Sequence, residues 1–197
     1  MTKNYIIQDA YFKKAKQEGF RARSIYKIKE IDEKFHLIKK EDHILDLGCA
    51  PGSWLQYFSK KTKGNIYGFD LQKIKPLSGV KNYVADVFTD EFKILLQKEK
   101  IKKFDVITSD MAPKTSGVFD LDQYASVELG LRVLDLLKLY LKPNGKAVIK
   151  IFRGEDFNDF WIPAKKFFKL AKTFKPRACR DRSYEIYCIF KNISDKF

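Results

Sequence analysis

Histidine and cysteine are scarce in this chain: its 197 residues include 2 histidines and 3 cysteines. With only His36 and His43, a histidine-built zinc site and a Ser-His-Asp triad are both disfavoured. Cys49, Cys179 and Cys188 form an odd, scattered set without paired metal spacing, so neither a disulfide framework nor a metal is expected. That usage fits a reducing compartment: the cytoplasm, or an organelle if a transit segment has been removed. No apolar run approaches the length of a membrane span, so no membrane partner is expected. The opening MTKNYIIQDAYFKK lacks the apolar core of a signal peptide.

What the chain has in excess is positive charge, +14 at neutral pH. A surplus of this size concerns partners rather than fold, and RNA, DNA and an anionic membrane surface are the candidates. Only 7 of the 39 basic residues are arginine, so part of the excess also suits a solvated lysine-rich surface. The length suits one domain over residues 1–197, with enough apolar content for a core, and a monomer is expected.

Residues up to about 40 read as basic and helical. Gly19 is a stop signal, and Ile25, Ile28, Ile31 and Phe35 then recur at helical spacing. Strand-like and helix-like segments alternate after that. HILDLG, NIYGFD, KNYVADVF, FDVITSD, KAVIKIF and SYEIYCIF read as strands. SWLQYFSKK, DEFKILLQKE and ASVELGLRVLDLLKLYL read as helices, as does FNDFWIPAKKFFKLAKTF, with a possible break at Pro163. This alternation predicts an open α/β sheet with helices on both faces. In such sheets ligands sit beyond the carboxyl ends of the strands, near the switch in strand order.

The residues at those ends are therefore the candidates. Asp46-Leu47-Gly48-Cys49-Ala50-Pro51-Gly52-Ser53-Trp54 follows the first strand. Gly48 and Gly52 allow close approach of a ligand, but the turn lacks G-x-G-x-x-G and no Lys-Ser or Lys-Thr pair follows, which speaks against a dinucleotide or a triphosphate. Asp70 ends the second strand, where a carboxylate suits ribose hydroxyls. Asp86 follows the third and suits an adenine amino group. Either could equally be a helix cap. Asp110 ends the fourth strand and calls for a cationic partner or ligand, since a buried unpaired carboxylate is costly. Lys150 interrupts the apolar run AVIKIF, and such local rule-breaking often marks function. Glu185 lies between Tyr184 and Ile186 on the last strand, and Lys27 on the N-terminal helix; both could simply face solvent.

From about Tyr11 to Phe190 the chain resembles the RrmJ/FtsJ family of RNA ribose 2′-O-methyltransferases. The segments ARSIYKIKEI, DLGCAPGSW, SDMAP, IKIFRGEDF and SYEIY occur in the family's order. The resemblance implies a Rossmann-like fold with a mostly parallel seven-stranded sheet, and S-adenosylmethionine as cofactor. It implies a catalytic tetrad on Lys27, Asp110, Lys150 and Glu185. Cofactor residues would fall on Gly48, Gly52, Trp54, Asp70, Asp86 and Asp110. Lys150 would accept the proton of the ribose hydroxyl or polarise it, with no metal needed. The implied partner is RNA, with a uridine of large-subunit ribosomal RNA as target. If Lys27 and Glu185 share one site, then Arg21, Arg23, Arg177, Arg180 and Arg182 would flank its mouth as phosphate contacts. Cys49 and Lys114 depart from the family's usual residues, but neither is a tetrad member.

Other readings remain at this point. The tetrad suits a tRNA anticodon-loop or mRNA-cap methyltransferase too, although Ser116-Gly117 after SDMAP favours the ribosomal branch. A non-catalytic RNA-binding module that kept the fold would have no need of an intact tetrad.

Overall fold

A computed structural model describes residues 2–100, 103–180 and 183–195, with side chains from residue 10 on. Two helices lead, α1 (Thr2–Gln17) and α2 (Ile25–Phe35). There follow β1 (Ile44–Leu47), α3 (Ser53–Lys61), β2 (Ile66–Asp70), β3 (Val80–Val84), α4 (Asp90–Lys98) and β4 (Phe104–Ser109). The chain continues through α5 (Phe119–Tyr140), β5 (Leu141–Phe152), α6 (Phe157–Phe167), β6 (Phe168–Phe174) and β7 (Glu185–Ile193). No described helix is long and apolar enough to cross a membrane.

The strands form one seven-stranded sheet in the order β3-β2-β1-β4-β5-β7-β6. Strands β1 to β5 pair in parallel, while β7 runs antiparallel between β5 and β6. Every residue of β1 is buried, as a central parallel strand covered on both faces requires. Leu45 and Leu47 point into one core, shared with α4, α5 and α6; Ile44 points into the other, under α2 and α3. On that second face Ile25, Ile28 and Ile31 of α2 are almost fully buried, so the helical spacing marks the buried stripe. Gly68 of β2 lets α3 lie close, because a Cβ there would sit 2.8 Å from Leu55 Cδ1.

The segment read as one long C-terminal helix is two elements. Helix α6 runs through Pro163, holding Phe160, Ala164 and Phe167 against the core, and stops at Phe167. The next residue begins β6, the strand the sequence reading lacked. Phe168 stacks on Phe190 of β7 with ring centroids 4.9 Å apart, and pairing with β7 overrides the modest helix preference of Lys, Leu and Ala.

Candidate active site

Strand order reverses at the β1/β4 junction, and the carboxyl ends of β1 to β4 open there onto a cavity of about 400 Å³. Gly48, Asp70, Asp86, Asp110 and Met111 are among its walls. Gly48 has φ of +73° and a Cβ on it would meet Met111 N at 2.7 Å, so the loops after β1 and β4 close only over a glycine. Asp70 accepts the N–H of Ala50 and of Gln72, each at 2.8 Å. Asp86 accepts the N–H of Phe88 at 3.0 Å. Asp86 thus ties down its own turn and Asp70 both its own and the loop after β1, and both still line the cavity. Neither caps a helix, because β2 leads into β3 without one and Thr89 is the residue that precedes α4.

Asp110 joins this cavity to a cluster of charged groups. Its Oδ1 lies 3.0 Å from Lys150 Nζ, which also donates to the Asp110 carbonyl. The same Oδ1 accepts the Tyr187 hydroxyl at 2.8 Å. Lys27 Nζ and Glu185 Oε1 are 2.7 Å apart, with both side chains mostly buried. Cross-strand register brings these groups together, since Lys150 lies opposite Tyr187 and Phe152 opposite Glu185. The side chains of Asp110, Lys150, Tyr187 and Glu185 share the sheet face on which α2 carries Lys27. The Lys27 ammonium lies 5.7 Å from the centroid of the Tyr187 ring. The structure therefore brings the expected tetrad together as two ion pairs around one tyrosine.

Tyr187 escaped the sequence reading. Burial, then the nearby Asp110 and Glu185 charges, push its hydroxyl well above the usual tyrosine range, so it stays a proton donor to Asp110. Its signal was available: two residues past Glu185 on a strand is the same face. Beneath the cluster, Asp46 accepts from Thr108 at 2.6 Å. Burial, with the Asp110 and Asp70 charges adding to it against the Thr108 hydrogen bond, raises the Asp46 carboxyl well above the carboxylate range.

Two expected cofactor residues lie off the cavity wall. Trp54 is buried; its indole N–H donates to the Ser24 carbonyl at 2.9 Å and its ring sits 5.9 Å from Tyr187. The inward face of α3 holds it behind the ion pairs, together with Leu55 and Phe58. Gly52 precedes α3 with φ of +99°, and a Cβ there would meet the Arg21 guanidinium at 2.5 Å. Its role is to let Arg21 cross the loop.

The arginines divide in the same way. Arg21 donates to the carbonyls of Pro51 (3.2 Å) and Pro76 (2.9 Å), clamping the loops after β1 and β2 instead of facing outward. Arg23 donates to the Ala178 carbonyl at 2.7 Å. Burial first, then the neighbouring Arg180, lowers its pKa, while Glu185 opposes that shift. Arg23 thus stands near Glu185, with Arg180 as its neighbour. Arg177 is exposed and bonds Glu30 of α2 at 3.2 Å. Arg182 lies outside the described residues. Among those described, no group of His, Cys, Asp and Glu is arranged to hold a metal ion.

The FtsJ-like methyltransferase family model matches residues 20–193, which takes in the cavity and both ion pairs. The chain belongs to this family. An FtsJ-like relative from Methanothrix thermoacetophila, named ribosomal RNA large subunit methyltransferase E, is 39% identical over 186 residues, covering 94% of this chain and 73% of the relative. A protein of the same name from Myxococcus xanthus is 40% identical over 193 residues, covering 96% and 91%. A crystal structure from Plasmodium falciparum, described as a ribosomal RNA methyltransferase, superposes with a TM-score of 0.79 at 31% identity, covering 88% of this chain and 98% of that one.

Proposed function

We propose that this FtsJ-like chain transfers a methyl group from S-adenosylmethionine to a ribose 2′-hydroxyl of RNA, at a uridine of large-subunit ribosomal RNA. One observation carries the reading. Asp110 lines the cavity and also holds Lys150 and Tyr187, so a methyl donor in the cavity and a nucleophile at Lys150 would meet at one carboxylate.

The cavity suits the cofactor. Its volume is in the range of small-molecule sites. Asp70 and Asp86 offer acceptors for ribose hydroxyls and an adenine amino group, and Asp110 offers negative charge to a cation. Phe69, Val87 and Leu129 supply apolar wall. When bound, S-adenosylmethionine supplies a methyl group already activated on a sulfonium.

The chain's own residues handle the proton and the alignment. Asp110 engages Lys150 through both its carbonyl and its carboxylate, leaving one direction of Nζ for the substrate hydroxyl. Lys150 accepts that proton or polarises the hydroxyl while holding the oxygen in line. Tyr187 fixes the Asp110 carboxylate. Lys27, held by Glu185, orients the ribose or its phosphate. Arg23, Arg177 and Arg180 attract the RNA backbone. The expected site of action is the cytoplasm or an organelle, where ribosomal RNA is found.

The test is transfer of tritiated methyl from S-adenosylmethionine to total ribosomal RNA and, separately, to total tRNA, with the modified nucleotide mapped. Label on a ribose 2′-oxygen of the large-subunit RNA is expected. Label on tRNA alone moves the substrate, and label on a base overturns the reaction.

A further inference from the structure

Two aromatic rings meet on the rim of the site and face water. Phe119 is 38% exposed and Tyr184 is 60% exposed. Their centroids are 4.3 Å apart with a 52° tilt. Phe119 opens α5, which follows the carboxyl end of β4, and Tyr184 immediately precedes antiparallel β7; both therefore lie at the end of the sheet where Asp110 and Lys150 meet. Tyr184 adjoins Glu185, the residue that holds Lys27.

The backbone that carries the rings is anchored. The Tyr184 carbonyl accepts the Arg153 N–H at 2.9 Å, carrying the β5–β7 pairing one step beyond Phe152 and Glu185. Asp122 organises the loop before Phe119, accepting the Ser116 N–H at 2.6 Å, the Ser116 hydroxyl at 2.8 Å and the Gly117 N–H at 3.3 Å. Val118 and Leu121 extend the exposed apolar surface around Phe119, and Arg153 is exposed opposite Tyr184.

We propose that Phe119 and Tyr184 form a stacking platform for a base adjacent to the target nucleotide in single-stranded or looped RNA, with Arg153 meeting its phosphate. This rests on the site being an RNA ribose methyltransferase. Every base has a π-face, so aromatic rings beside cations are the usual means of holding an unpaired strand. The +14 charge complements such a strand. A ribose brought to Lys150 and Lys27 has its neighbours on this rim, and a base locked in a duplex could not reach the rings. Phe119 and Tyr184 are positioning residues. They touch the substrate's neighbour and leave the proton transfer to Lys150.

The test combines methyl-transfer kinetics on free ribosomal RNA with fluorescence of a short single-stranded RNA carrying 2-aminopurine. Tyr184→Ala and Phe119→Leu should each raise the KM for RNA roughly 5- to 100-fold, the worth of one stacked base. Changes in kcat and in S-adenosylmethionine affinity should stay small. Tyr184→Phe should restore the wild-type KM, which a lost tyrosine hydroxyl bond would not allow. Wild type and Tyr184→Phe should quench 2-aminopurine, and Tyr184→Ala should not. Unchanged KM and quenching in both disruptive variants overturn the platform. So does a KM rise seen only with assembled ribosomal subunits, which would assign the rings to a protein partner. If wild type methylates no RNA, the proposed reaction fails, and the quenching comparison still decides the platform.

Discussion

Tyr187 donates its hydroxyl to Asp110 Oδ1 at 2.8 Å, across 77 residues of sequence. The carboxylate that walls the cavity therefore has two fixed partners, Tyr187 and Lys150, and little freedom to rotate. The Tyr187 ring also lies beneath the Lys27 ammonium, so one buried side chain sets the spacing of both ion pairs.

Tyr187→Phe should keep the fold and lower kcat roughly 10- to 150-fold, since a hydrogen bond to a charged group contributes about 1.5–3 kcal/mol. The KM for S-adenosylmethionine should change less. Single-turnover kinetics separates the two. An unaltered kcat would mean that Lys150 alone orients Asp110.

Lys150→Ala should cost about 10²–10⁴-fold or more in methyl transfer, the range of a general acid or base, with cofactor affinity near wild type by calorimetry. Lys150→Arg should not restore activity, because a guanidinium does not release its proton near neutral pH. Lys27→Ala should lose less. Full activity in Lys150→Arg would reduce Lys150 to a fixed charge.

Replacing Arg177 and Arg180 together by alanine should flatten the dependence of RNA affinity on salt by about one unit of slope per lost phosphate contact. Cofactor binding should be unaffected. Arg21→Ala should behave differently, weakening cofactor binding, because Arg21 clamps the Pro51 and Pro76 loops beside the cavity. Filter binding at several salt concentrations and calorimetry measure the two effects.

Alkaline pH should unfold the protein through its tyrosines. Burial, assisted by Glu18, raises Tyr26 to about 12. Burial and Glu99 raise Tyr67 and Tyr83 to about 12. A tyrosine raised on folding favours the folded state fully below its unfolded pKa of about 10 and loses that contribution as pH rises through 12. Thermal midpoints should fall between these values, and phenolate absorbance should show this group ionising late. Ionisation of all tyrosines at pH 10 in folded protein would contradict the packing.

Strand ends were legible because their signals are local. A strand's apolar run stops at a Gly or Asp, and the parallel α/β rule converts that stop into a place in the ligand crevice. Gly48, Asp70, Asp86 and Asp110 were found this way, and all line the cavity. Lys150 was found because it interrupts the apolar pattern of a central strand. Strand β6 was hidden because its residues suit a helix as well, and only a neighbouring edge makes a strand of them.

By itself the sequence determined the alternating α/β order and the loops at the strand ends, because spacing and turn chemistry act within a few residues; the tetrad was implied by the family resemblance. Tertiary structure decided the rest. The register of β7 against β5 put Tyr187 opposite Lys150 and Glu185 within reach of Lys27. The packing of α3 turned Trp54 away from the cavity, and the approach of Arg21 to Gly52 made a presumed phosphate contact into a clamp. These contacts join residues far apart in the chain, and their geometry follows from which strands pair and which faces are buried, which short-range patterns do not specify.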